Sequence, residues 1–241
     1  MDYIYHNRPT KRQLFLRGTV NTVNRLMDFL NIPLELTNGI NHHSDMITVE
    51  QRMNLYHLLL RTLHNNTPGD IVECGCYTGN SAVQIQDMLY ANKSTKVLHL
   101  YDRFNEESDK FPSIKKQLIE NFKSHNVQLP QIHEGNFEET IPVNLPDKIS
   151  FAHIDCGSAA DAKTHSEVVL YLLENIYPRM SDGAVCMLMD YHITDKTVRG
   201  VNSNPGVKMA CDLFLQDKPE KVFILYGNQF SHGYFVKGIS N

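Results

Sequence analysis

The chain has 241 residues, 41% of them hydrophobic and 21% charged, a balance that excludes disordered and fibrous classes and allows one sizeable α/β core. Its formal net charge of −4 and pI near 6.3 supply no basic stripe, so no nucleic-acid partner is expected and a small molecule becomes the expected substrate class. No apolar run reaches the length of a membrane span, and the opening residues MDYIYHNRPTKRQLFLRG lack a signal-peptide pattern, so the expectation is a cytoplasmic protein with no membrane partner.

The first 66 residues read as a helical segment packed on, or forming a lid over, a single domain spanning 1–241. Within it, TVNRLMDFL is amphipathic and ends at Leu30, and a second helix runs from Gln51 to Leu63, where Leu55, Leu58, Leu59 and Leu63 fall at helical spacing and read as core. The polar loop between them, with His42, His43 and Asp45, suits a substrate lid and a plain solvated connection equally. From Asp70 onward, β-rich runs alternate with helical ones: DIVECGC, SAVQIQDMLYAN, KVLHLYD, SIKKQLIENFKSH, QIHEG, ISFAHID, HSEVVLYLLENIYPRM and GAVCMLMDY. Such alternation predicts a parallel sheet with helices on both faces. After a helical stretch from Gly206 to Gln216 come VFILYGN and GYFVKG, and their short connection predicts a C-terminal antiparallel hairpin.

Five cysteines, Cys74, Cys76, Cys156, Cys186 and Cys211, sit mostly in strand-like runs and read as buried thiols. Cys74 and Cys76 share a strand face, but no second pair completes a metal set.

A ligand site is predicted where the strands end. DIVECGC enters a turn with Gly75 and Gly79, which let the backbone pass close to a ligand, and a helix follows that Asn80 or Ser81 would cap. Asp102, followed by Arg103, ends the next strand, where its carboxylate can accept both hydroxyls of a ribose. Glu73 repels a pyrophosphate and suits a cationic sulfonium, which favours S-adenosylmethionine over a dinucleotide. Gly135, Asn136 and Phe137 follow the third strand, where an amide and a ring could frame an adenine, or Phe137 could be core.

These motifs, in this order, resemble the macrocin and mycinamicin type of sugar O-methyltransferase, a family that also includes enzymes of aminocoumarin antibiotic biosynthesis. The likeness runs over most of the chain, through TVEQRMNLYHLL, PGDIVECGCYTGNSA, LYDRFNE, EGNFEETIP, FAHID, YPRMSDGAVCMLMDY and PGVKMACDLFL. It implies a Rossmann-like class I methyltransferase fold, whose mostly parallel seven-stranded sheet ends in an antiparallel hairpin. It further implies a homodimer or higher homo-oligomer that methylates a sugar hydroxyl from S-adenosylmethionine, assisted by a divalent cation such as magnesium. The family's Asp-x-Asp and Asp-Asp-Tyr stand here as Asp155-Cys156-Gly157 and Met189-Asp190-Tyr191, so the only carboxylates left for a metal are Asp155 and Asp190.

Without a metal, a base must take the hydroxyl proton, and His153, His192 and Asp155 are the candidates, since His153 shares a strand face with Asp155 and His192 follows Asp190 at a strand end. Asp161, Asp182 and Asp195 read as solvated turn residues, and Lys110, Lys115, Lys116 and Lys123 as a solvated helix face. Two other functional readings remain at this level. One is a cofactor-binding partner or sensor without transferase activity; the other is a nicotinamide-dependent oxidoreductase, because glycine turns and strand-end acids occur in both folds.

Overall fold

The computed structural model describes residues 11–32, 47–104, 113–157, 161–193, 202, 204–225 and 231–238. The loop carrying His42, His43 and Asp45 lies outside the described residues, as do Lys110 and Asp195. Among the described residues the helices are α1 (Lys11–Phe29), α2 (Val49–His64), α3 (Asn80–Ala91), α4 (Ile114–His125), α5 (Phe137–Asn144), α6 (Ala162–Ile176) and α7 (Gly206–Leu215). The strands are β1 (Asp70–Cys74), β2 (Leu98–Asp102), β3 (Gln131–Glu134), β4 (Ile149–Ile154), β5 (Met180–Met189), β6 (Phe223–Leu225) and β7 (His232–Val236). No helix among the described residues is long and apolar enough to cross a membrane.

All seven strands join one sheet in the order β3-β2-β1-β4-β5-β7-β6. The first five are parallel, with β1 at the centre between β2 and β4, and β7 runs antiparallel to both β5 and β6. This confirms the mostly parallel sheet and the antiparallel end, and adds that the last strand inserts between β5 and β6. Alternation along each strand divides the core into two layers. Ile71, Leu100, Phe151, Val185 and Met187 pack beneath α2, α3 and α4, and Leu55, Leu58, Leu59 and Leu63 of α2 are buried there as their spacing predicts. Val72, Ala152, Cys186 and Leu188 face the other way, toward α5, α6 and α7. The α2 helix begins with a capping box in which the Thr48 side chain accepts from the Gln51 amide and the Gln51 side chain accepts from the Thr48 amide. In contrast, Leu26, Phe29 and Leu30 at the end of α1 stay exposed.

One element differs from its sequence reading. The segment YPRM does not continue α6: Pro178 has no amide proton to sustain the helix, the chain tightens into a 3₁₀ turn over Tyr177–Arg179, and β5 starts at Met180. FEETIPVN forms α5 with Pro142 in its last turn and Glu138 and Glu139 in its first, where their charge favours the helix N-terminus.

The crossing of α6 and α7 is set by a glycine. A Cβ at Gly206 would lie 2.6 Å from the Ala162 carbonyl oxygen and 2.7 Å from the Ser166 amide nitrogen, so the two backbones touch. Gly206→Ala should therefore lower stability by about 1–3 kcal/mol. Urea unfolding measures this directly, and an unmoved midpoint would mean that the helices do not approach so closely.

Candidate functional site

The first βα turn passes from Cys74 of β1 to Asn80 of α3. Gly75 adopts φ +80°, and a Cβ there would stand 2.2 Å from the carbonyl oxygen of Asp155, so only glycine lets the loops after β1 and β4 meet. Gly79 adopts φ +81°, and a Cβ there would come within 2.8 Å of Leu118 Cγ on α4. From α4, the Asn121 side chain donates to the Thr78 carbonyl at 2.8 Å. The expected cap at Asn80 or Ser81 is corrected: Gly79 is the N-cap, Asn80 turns back to donate to Thr78 Oγ at 3.1 Å, and Ser81 is buried in the helix.

Asp102 organises this turn. Its Oδ2 accepts from the amides of Cys76 at 2.8 Å and Tyr77 at 2.9 Å, while Oδ1 accepts from Phe104 at 2.9 Å. Three of its roughly four acceptor positions are thereby filled. The expectation that this carboxylate takes both ribose hydroxyls is revised to one remaining acceptor position beside a turn that it has already shaped. Arg103 next to it is exposed.

Glu73 and His153 were expected at the surface of the site, and both lie beneath it. They are paired across β1 and β4, with no exposed surface, and the His153 Nδ1–H donates to Glu73 Oε1 at 2.7 Å. Burial alone would lower the His153 pKa; the hydrogen bond and charge of Glu73 and the charge of Asp155 outweigh it, so the shift is upward. Glu73 is therefore held by an imidazole within the sheet rather than offered to a ligand, and His153 is too deep to reach a substrate hydroxyl. Among the described residues, the second oxygen of Glu73 and Nε2 of His153 have no hydrogen-bond partner.

Asp155 and Asp190 follow the last residues of β4 and β5, near enough for their charges to interact. Burial pushes the Asp155 carboxyl up to about 7; His153 opposes this, and the carboxylates of Asp190, Glu73 and Asp102 add to it. Asp190 adopts φ +60°, and its pKa also rises with burial despite the Asn204 side-chain amide, which donates to Asp190 Oδ2 at 2.5 Å. Gly157 is exposed, and a Cβ there would be 3.5 Å from that same amide nitrogen. Met189 is buried in the core under α2. From α6, the His165 Nε2–H donates to the Cys156 carbonyl at 2.9 Å and braces the loop. His192 is buried, and its Nδ1 shares a hydrogen bond of 2.6 Å with Ser231 Oγ rather than with the aspartate that the sequence suggested.

At the third strand end, the Gly135 amide donates to the Asp102 carbonyl at 3.1 Å, which joins this turn to the first. Asn136 is the N-cap of α5, and Phe137 is half-buried against the core facing α6, which supports its core reading. Asp161 caps α6 by accepting from the Lys163 and Thr164 amides. Burial raises the pKa of all five cysteine thiols, consistent with structural side chains. Sequence reasoning passed over Asn121, His165, Asn204 and Ser231, each an ordinary polar residue with no motif around it.

Residues 72–191 match the family described as a methyltransferase domain. No curated protein matches the chain by sequence. Among solved structures, the fold is similar to the O-methyltransferase NovP at 18% identity and TM-score 0.59, over 76% of this chain and 77% of that one. It is similar to CalS11, a TDP-rhamnose 3′-O-methyltransferase of calicheamicin biosynthesis, at 19% identity and TM-score 0.57, over 98% of each chain. The S-adenosylhomocysteine-bound methyltransferase PaMTH1 of Podospora anserina matches at 15% identity and TM-score 0.52, over 97% of this chain and 100% of that one.

The buried pair carries a pH signature. With the pKa of His153 raised in the fold, its contribution to stability is fully present below the ordinary histidine value of about 6.5 and is lost as pH rises through the raised value. Glu73→Gln keeps an acceptor and removes the charge, and should cost about 1.5–3 kcal/mol at acidic pH, shrinking at alkaline pH. Denaturant midpoints at about pH 6 and about pH 9 decide it. An equal cost at both would show that the imidazole does not change its charge between them.

Proposed function

Starting from a class I methyltransferase domain over residues 72–191, we propose that this chain transfers the methyl group of S-adenosylmethionine to a hydroxyl of a small molecule, a sugar or glycosylated metabolite. The observation that carries the proposal is the glycine turn held by Asp102: a backbone loop opened by Gly75 and fixed by the chain's own hydrogen bonds, at the carboxyl ends of the central strands. A turn held in this way spares a ligand the cost of ordering the loop. The O-methyltransferase chemistry of NovP and the sugar hydroxyl methylated by CalS11 support the choice of acceptor, and the S-adenosylhomocysteine bound to PaMTH1 supports the cofactor.

In the proposed reaction the acceptor oxygen attacks the sulfonium methyl in line. A C–O bond forms as the C–S bond breaks, the sulfur keeps the electron pair, and the hydroxyl proton passes to a base. Asp155 is assigned that role, because it keeps solvent contact at a strand end and its pKa of about 7 suits proton transfer near neutrality. His192, anchored through Nδ1 to Ser231, is the second acceptor of the proton if its Nε2 is the unprotonated nitrogen. Gly79, Asn80, Ser81, Gly135 and Asn136 supply backbone around the cofactor, and Arg103 lies at its rim. The active form is proposed to be a homo-oligomer.

Calorimetry with S-adenosylhomocysteine and with NAD tests the cofactor. Heat is expected from the first alone, and binding of the dinucleotide alone would overturn the proposal. Asp102→Ala frees the three amides that shape the turn, so affinity for S-adenosylhomocysteine should fall by about tenfold or more. Screening glycosides for methyl transfer by the purified chain then identifies the acceptor and separates an enzyme from a binding partner without activity.

A further inference from the structure

We infer that the side-chain amide of Asn204 stands where a divalent cation would otherwise sit between the ends of β4 and β5, so that this site works without a metal ion. The inference rests on the methyl-transfer reading above and concerns how its carboxylates are neutralised.

The donor set is the first argument. Among the described residues, no group of three or more His, Cys, Asp or Glu side chains could hold a metal, and the residues just past β4 and β5 offer two carboxylates, Asp155 and Asp190. Hard cations such as magnesium or calcium take six or more oxygens, and affinity rises with the number of charged ligands. At the neighbouring positions, Gly157 has no side chain, and Met189 is buried in the core with a soft thioether that does not suit such an ion.

The second argument is what fills the space. Asn204 Nδ2 lies 2.5 Å from Asp190 Oδ2 and directs an N–H at it, and the same nitrogen is 3.5 Å from the point where a Cβ at residue 157 would begin. A side chain at 157 would thus begin in van der Waals contact with a hydrogen-bond donor. Its partial positive charge does for Asp190 part of what a cation would do, and it would repel a cation placed on that oxygen. The carboxylate is held for this contact by the left-handed backbone of Asp190, a conformation that aspartate tolerates better than most residues. Asn204 is accordingly a positioning residue: it fixes Asp190 and leaves Asp155 free of any metal.

The test titrates MnCl₂ and MgCl₂ into the chelator-dialysed full chain by calorimetry and thermal shift, with S-adenosylhomocysteine binding measured in parallel. The wild type should show no saturable metal binding at about millimolar concentration. Its S-adenosylhomocysteine affinity should be the same before and after chelation. Asn204→Asp replaces the donor with a third carboxylate, and should bind Mn²⁺ at least about tenfold more tightly than wild type, with a rise in Tm on adding the ion. Asn204→Ser keeps a donor and should stay indifferent to metal, which controls for folding if the aspartate variant fails to fold. Saturable 1:1 Mn²⁺ binding by wild type that Asp190→Asn abolishes would overturn the inference, as would a folded Asn204→Asp with no gain in affinity. Loss of S-adenosylhomocysteine binding alone would instead remove the methyl-transfer reading and leave the metal result standing.

Discussion

The carboxylate of Asp102 is the constraint on which the candidate site depends. One side chain at the end of β2 accepts from Cys76, Tyr77 and Phe104, and its own carbonyl accepts from Gly135, so the loops after β1, β2 and β3 share a common anchor. Charge-assisted hydrogen bonds to backbone amides are among the stronger polar contacts in a fold. Because the anchor lies at the end of β2, between β3 and β1, the turn on either side inherits its position. Gly75 completes the arrangement by allowing the Asp155 carbonyl into contact with the first turn, which ties β4 to the same cluster.

Negative charge is concentrated around that anchor, and the fold handles each carboxylate differently. Glu73 is buried against His153 inside the sheet. Asp102 accepts from three backbone amides, Asp190 receives an amide from Asn204, and Asp155 is left with burial and like-charge neighbours that hold its proton near neutrality. Four acids within one set of strand ends therefore serve four purposes. The division follows from environment: burial raises the pKa of Asp155 and Asp190, and the side-chain amide of Asn204 opposes that rise at Asp190.

The braces come from elements that are distant in sequence. Asn121 reaches the first turn from α4, His165 reaches Cys156 from α6, and Ser231 meets His192 from the start of β7. Each is one polar residue on an otherwise ordinary helix or strand, and each acts on a backbone group or a ring nitrogen at a loop. Rigid elements thus position a loop-built site, which is the usual division of labour in α/β proteins.

Sequence alone determined the layered α/β plan, the β1 turn with its glycines, Asp102 at the end of β2, and the antiparallel end of the sheet, because these follow from local periodicity, short connections and residues that only certain backbones accept. It also placed Leu55, Leu58, Leu59 and Leu63 in the core, since helical spacing alone puts them on one face. Only tertiary structure decided that β7 lies between β5 and β6, that Glu73 and His153 are partners separated by 80 residues, and that Asn204 faces Asp190. The reason is physical: such pairings depend on strand order, register and helix crossing, and a long-range hydrogen bond between two common side chains leaves no periodic trace in the chain. The carboxylates at the strand ends were visible as residues, while which of them would be buried, capped or left to titrate was set by the neighbours that folding brought to them.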